Sequence, residues 1–268
     1  MKIGVIGLGV VGSAVKHGLE RLDHQVIGYD IKLPDTTLES VLDTDLCFIC
    51  VPTPPDETGS CNISIVQNVV GELDTAGYKG LCVIKSTVTP GTTDELKKTT
   101  KIRLAFCPEF LRERAAYTDF VENHDLCVIG ADDPADFELV KTAHGRLPQN
   151  FAHLTPLEAE FAKYYSNIFN ALRIVFANEF YEVCKATGAD YSKIKQALVK
   201  RSTIHDVYLD CNENIRGFGG VCLPKDTAAF AQFVDKLGLD MKLFSLIVDE
   251  NKKFTRTVFK GMREDAEL

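Results

Sequence analysis

The 268-residue chain is 45% hydrophobic and 25% charged, the composition of a folded globular protein with room for two domains, which excludes a disordered or fibrous one. Its formal charge of −8, with no Lys/Arg-rich run, leaves no footprint for nucleic acid or an anionic membrane, and no stretch is long enough to span a bilayer. Nine cysteines, an odd number set largely in apolar runs, suit reduced core thiols of the cytoplasm rather than a disulfide framework, and the six histidines are too scattered to suggest a metal site.

Residues 2–6 (KIGVI) read as a short apolar strand. Only Lys2 is basic there and no small-residue cleavage site follows, so no signal peptide is expected. Next come Gly7-Leu8-Gly9-Val10-Val11-Gly12 and a helical stretch to about Leu22. In this strand–turn–helix context G-x-G-x-x-G supplies a tight turn, close approach to a pyrophosphate and tight helix packing, with the phosphates at the helix N-terminus. The next strand, 25–29 (QVIGY), ends at Asp30, where a carboxylate accepts from ribose hydroxyls and disfavours a 2′-phosphate, favouring NAD over NADP; Lys32 tempers that preference.

Further strands are expected at 46–51, 81–85, 102–106 and 126–130, with helices at 63–76 and 92–98 between them. Alternation of this kind implies a doubly wound, Rossmann-type parallel sheet, with ligands beyond the strands' carboxyl ends. Pro52-Thr53-Pro54, Ser86-Thr87 and Pro108-Glu109 fall there and are candidate pocket walls. Cys47 and Cys50 form C-x-x-C, but on a strand residues three apart point to opposite faces.

After about Gly145 the pattern turns helical, giving a domain division of 1–150 and 151–268. One unbroken helix is expected from Thr155, the N-cap, with Pro156 at N1 and Glu158 at N3, to a stop at Gly188. Lys163 and Asn167, four apart, share a face of it. Helices are also expected near 192–199, 227–237 and 241–262. Between them lies Gly217-Phe218-Gly219-Gly220-Val221-Cys222-Leu223-Pro224-Lys225-Asp226. Its glycines allow positive φ and a ligand against the backbone, and Lys225 beside Cys222 favours a nucleophilic thiolate.

In order along the chain, GLGVVG, VPTP, KSTVTPGTT, CPEFLRE, EAEFAKYYSNIFNA and GFGGVCLPKD together resemble the UDP-glucose/GDP-mannose dehydrogenase family of NAD-dependent nucleotide-sugar oxidoreductases. Oxidation of a primary alcohol to a carboxylate takes two hydride transfers, and a thiol holds the aldehyde between them as a thiohemiacetal that becomes a thioester. The resemblance implies that Cys222 is this nucleophile. It implies that Lys163 and Asn167 orient and deprotonate the sugar hydroxyl, and that Glu109, Thr87 and Asp226 handle the hydrolytic water. Gly7, Gly9, Val10, Val11, Gly12, Asp30, Lys32, Thr53, Thr87 and Glu113 would hold NAD. Glu109, Phe110, Leu111, Arg112, Glu113, Lys163, Asn167, Phe218, Gly219 and Lys225 would border the substrate. No metal is implied.

Family members commonly continue into a third, nucleotide-binding domain after a long helix, and that anchor is expected to be missing here. Asp206 and Arg216 stand where the family carries an arginine and an aromatic residue. A homodimer through the last helix is implied, with Leu243, Leu246, Ile247 and Phe254 exposed on a monomer. Two other readings stay open. One is a β-hydroxyacid dehydrogenase, which pairs a Rossmann domain with helices and uses Lys-x-x-x-Asn without a thiol; the other is a non-catalytic NAD-binding or assembly protein of the same descent.

Overall fold

A computed structural model describes residues 1–260 and Met262. Strand β1 (Lys2–Ile6) runs into helix α1 (Val10–Glu20), which returns to β2 (Gln25–Tyr29) and then β3 (Leu46–Ile49). Helix α2 (Ser64–Thr75), β4 (Leu81–Ile84), α3 (Thr92–Thr99) and β5 (Arg103–Phe106) follow, each strand within a residue or two of its expected span. Then come α4 (Ala116–Val121), β6 (Leu126–Gly130), α5 (Pro134–His144) and β7 (Asn150–Leu154).

The seven strands form one sheet in the order β2-β1-β3-β4-β5-β6-β7. All neighbours are parallel except β5 and β6, which meet antiparallel at Phe106 and Gly130. Helices cover both faces. Along β3 the side chains alternate, Leu46 and Phe48 packing with Val15, Leu19 and Val140, and Cys47 and Ile49 with Val66, Val70 and Leu73. Cys47 and Cys50 accordingly belong to opposite faces. The order reverses at β1, and the carboxyl ends of β1 and β3 form the crevice that dinucleotides use.

One expectation about the halves is corrected. Residues 151–154 are not helical but complete the sheet as β7, pairing with β6 from Leu126↔Asn150 to Gly130↔Leu154. The NFAHL segment lacks the β-branched run by which a strand is recognised; its partner makes it one. The first compact unit is Met1–Asp56 with Cys61–Lys163. The second unit comprises Glu57–Ser60 and the described residues from Tyr164 onward.

Helix α6 (Pro156–Thr187) has the expected ends. Thr155 Oγ1 accepts from Glu158 N at 3.3 Å while Glu158 Oε2 accepts from Thr155 N at 2.8 Å, the reciprocal capping box, and Gly188 stops the helix at φ 75°. Helices α7 (Tyr191–Leu198), α8 (Cys222–Lys236) and α9 (Leu243–Asn251) complete the second unit among the described residues. The long helix expected over 241–262 is only α9; residue 261 of that span, and residues 261 and 263–268 of the expected second domain, lie outside the described residues. The chain turns at Asn251, whose amide pairs with Phe218 N and O at 2.8 and 2.9 Å, and then runs beside Arg216, with Thr257 N donating to Arg216 O at 2.9 Å. Ile247 is 2% exposed and Phe254 half-buried, against the expectation of exposure; Leu243 and Leu246 are exposed.

Candidate active site

The three glycines of the β1–α1 turn differ in what surrounds them. Gly7 has φ 88° and a Cβ there would lie 2.8 Å from Cys50 O; at Gly12 it would meet Gly7 O at 1.8 Å. At Gly9 it would meet nothing within 4 Å. The first and third glycines are therefore required by packing, and the second faces open space where a pyrophosphate can approach the uncapped N-terminus of α1. Val10 and Val11 anchor that turn in the core. Asp30 Oδ2 accepts from Leu8 N at 2.7 Å and Oδ1 from Lys32 N at 2.9 Å, so the carboxylate is fixed at the end of β2, beside the glycine turn. These residues fit NAD: a turn open at one glycine and a fixed acid for ribose hydroxyls.

Beyond β3 and β4, Thr53 is buried and Thr87 half-buried. The Cys61 thiol ties their loops, its one S–H shared between Thr87 O at 3.2 Å and Thr53 O at 3.8 Å. Ser86 is structural, its hydroxyl donating to Val51 O at 2.7 Å.

Glu109, just past β5, is 7% exposed. Its Oε2 lies 3.2 Å from Lys85 Nζ and its Oε1 accepts from Phe110 N at 3.0 Å, while its carbonyl accepts from Lys163 Nζ at 2.6 Å. Burial pushes the Glu109 carboxyl up, but the Lys85 ammonium, with His124 and the Phe110 N–H, outweighs it and holds the group below the usual range. Burial alone would depress Lys85; the Cys107 thiol and the Glu109 carboxylate reverse this and keep its ammonium charged. Lys85 thus keeps this buried carboxylate ionised. Lys163 Nζ also stands 5.6 Å from the Phe110 ring. Around it, Phe110 and Leu111 pack against core, Glu113 opens a 3-10 turn, and Arg112 is committed to Asp119 by Nε–Oδ2 and Nη2–Oδ1 bonds of 2.8 and 2.7 Å.

In the second unit, Asn167 Nδ2 donates to Asp226 Oδ2 at 2.6 Å, and Lys225 Nζ lies 2.8 Å from Asp226 Oδ1. Lys225, expected to favour a thiolate at Cys222, therefore also pairs with Asp226. Cys222 is exposed and is the first residue of α8, whose N-terminus has no side-chain cap; the helix dipole there favours a thiolate. Gly217 and Gly220 have φ of 50° and 75°. At Gly219 a Cβ would lie 2.8 Å from Val258 Cγ2 and 3.1 Å from Thr257 O, and Phe218 is 3% exposed. The close approach expected of a ligand at these positions is made instead by the chain's own segment around 256–258. Arg216 pairs with Glu182, donates from Nε to Asn178 Oδ1 at 2.8 Å and stands 5.0 Å from the rings of both Tyr181 and Phe254. Asp206 pairs with Lys195 at 2.8 Å.

Lys85 is the residue that sequence reasoning missed. It opens KSTVTPGTT, and a lysine closing an otherwise apolar strand was the available signal. Asn178 and Asn251, which hold the glycine loop by their amides, gave none.

The family model for the NAD binding domain of the UDP-glucose/GDP-mannose dehydrogenases matches residues 32–147, and that for their central domain matches 157–253. The UDP-glucose 6-dehydrogenase AglM of Haloferax volcanii is 28% identical over 100% of this chain and 73% of its own. The GDP-mannose 6-dehydrogenase of Pseudomonas aeruginosa is 26% identical over 97% and 70%. The solved UDP-glucose dehydrogenase of Pyrobaculum islandicum superposes with a TM-score of 0.84 at 31% identity, over 94% of this chain and 68% of that one.

Proposed function

Because the chain belongs to the UDP-glucose/GDP-mannose dehydrogenase family and carries its NAD-binding domain, we propose that it oxidises the primary alcohol of a nucleotide sugar to the carboxylate, with UDP-glucose the favoured substrate. NAD, when bound by the glycine turn and Asp30, supplies the hydride acceptor for each of two oxidations. Lys163 and Asn167, one turn apart on α6, position the hydroxyl and take up its proton. The Cys222 thiolate adds to the aldehyde carbon; loss of the second hydride leaves a thioester, and water, with its proton passed to Glu109 or Asp226, releases the acid and the thiol. The observation that supports this best is Cys222 itself: among the described residues it alone of the cysteines is exposed, and it stands at an uncapped helix N-terminus.

NADH release across UDP-glucose, GDP-mannose, UDP-N-acetylhexosamines and simple hydroxyacids tests the reading, with NADP exchanged for NAD in a parallel series. Two NADH per UDP-glucose are expected, with NAD well ahead of NADP. Turnover of hydroxyacids alone would replace it with the β-hydroxyacid reading, and NAD binding without any turnover with the non-catalytic one.

The same reading includes a homodimer. Leu243 and Leu246 remain exposed, but the larger apolar surface is on α6, where Tyr165, Phe169, Phe176, Phe180 and Val183 are 75%, 48%, 56%, 41% and 61% exposed. Light scattering at micromolar concentration is expected to give twice the chain mass; a monomer would remove the dimer from the proposal.

A further inference from the structure

Cys107 follows β5, Cys127 lies within β6 and His144 closes α5, so these residues, distant in sequence, meet only through the fold. All three are 0–1% exposed. The two sulfurs are 3.8 Å apart, and both lie within 4.8 Å of a ring nitrogen of His144. The imidazole is oriented: Nδ1 is 2.9 Å from Val140 O, which can only accept, so Nδ1 carries the hydrogen and Nε2 presents a lone pair. That Nε2 is fully buried and has no hydrogen-bond partner. A buried acceptor left bare in this way asks for an explanation.

We propose that Cys107, Cys127 and His144 form a binding site for a divalent thiophilic cation, with Zn2+ the best fit. Tetrahedral coordination with Zn–S bonds of about 2.3 Å puts two sulfurs about 3.8 Å apart, the separation found. A ligating histidine ordinarily gives its other N–H to a carbonyl, as His144 does to Val140. Two thiolates and an imidazole exclude Mg2+ and Ca2+, which take oxygen donors. Charge separates Zn2+ from Cu+. With both thiols ionised, Cys107, Cys127, Glu109 and Lys85 sum to −2, which a divalent ion neutralises and a monovalent ion does not. Binding releases the two thiol protons to solvent. Lys85 Nζ, 3.5 Å from Cys107 Sγ, then donates to a coordinated thiolate. The ion would tie the end of β5 to β6 and α5, and so fix the loop that carries Glu109.

The test uses the full chain, stripped of metal under reducing conditions and titrated with Co2+ as a spectroscopic probe, then with Zn2+, Cu+ and Mg2+. One Co2+ per chain is expected, with thiolate-to-metal charge-transfer absorption, and Zn2+ should displace it. Cys127→Ala and His144→Phe should weaken Zn2+ binding by more than the roughly 10- to 100-fold cost of losing a residue that only orients a ligand. Cys82→Ala, which disrupts the buried Cys47–Cys82 pair on β3 and β4, should leave binding unchanged. Should the buried substitutions prevent folding, the parent decides: Zn2+ should raise its melting temperature and Mg2+ should not. Absence of the charge-transfer band in the parent, equal loss in Cys82→Ala, tighter binding of Cu+ than of Zn2+, or a melting temperature indifferent to Zn2+ would overturn the proposal.

Discussion

Cys222→Ala is expected to abolish acid formation, by at least about a thousandfold, while leaving NAD affinity at the parental value. The asymmetry follows from the chemistry of the two oxidations. The alcohol gives up a hydride and a proton directly, so its oxidation needs a base and an acceptor. An aldehyde has no hydroxyl to deprotonate until something adds to its carbon, and the thiol is what adds. Removing an exposed side chain from the first turn of α8 cancels that addition without disturbing the N-terminal unit that holds the dinucleotide. Product analysis beside NADH yield reads the result. A thiol reagent followed by mass spectrometry gives a second reading in the parent, where Cys222 should be labelled long before Cys47, Cys82 and Cys127, which are at most 1% exposed. Two NADH per sugar at near-parental rate in Cys222→Ala would make the thiol structural and put the hydroxyacid chemistry first.

What the sequence revealed, and what it hid, divides along physical lines. Features written in local chemistry were legible: the glycine turn before α1, the strands up to β6, and the two ends of α6, because a capping box and a C-terminal glycine act on their own neighbours. Helix α5 also carries local signals, with Asp133 as N-cap accepting from Ala135 N at 2.8 Å and Pro134 at N1. Features created by distant partners were not legible. β7 is a strand because β6 offers it a ladder. α9 ends where it does because Asn251 turns inward to Phe218, and nothing in the apolar positions around Leu243 and Ile247 marks that stop. At the candidate site, the residue types and the helix face shared by Lys163 and Asn167 were readable. The Lys85–Glu109 pair and the meeting of Cys107, Cys127 and His144 were not, since adjacent strands set them.

Glu160→Leu is expected to destabilise the N-terminal unit by about 3 kcal/mol, a drop in its melting temperature on the order of 10 °C. The N-cap of helix α3 is Gly91, which has φ 95° and no side chain with which to cap it. Its first-turn donors are met from far along the chain by Glu160 on α6: Oε2 accepts from Gly91 N at 2.5 Å, and Oε1 from Thr93 N and Oγ1 at 2.8 and 2.6 Å. Leucine removes both acceptor oxygens, and with them three hydrogen bonds, from a residue that is 0% exposed, leaving buried donors unmet, while a surface glutamate would cost little. Burial lifts the Glu160 carboxyl above its usual range, with the Thr93 and Gly91 donors only partly opposing it. A folded pKa above the unfolded one means that this group's contribution is complete below the unfolded carboxylate value, about 4.3, and is lost as pH rises through the folded value. The stability gap between the parent and Glu160→Gln, which cannot ionise, should therefore narrow as pH is raised from acid toward neutral and then level off. Chemical denaturation of both proteins across that range measures it, and a gap that widens with pH would show that the fold favours the ionised carboxylate at the head of α3 instead.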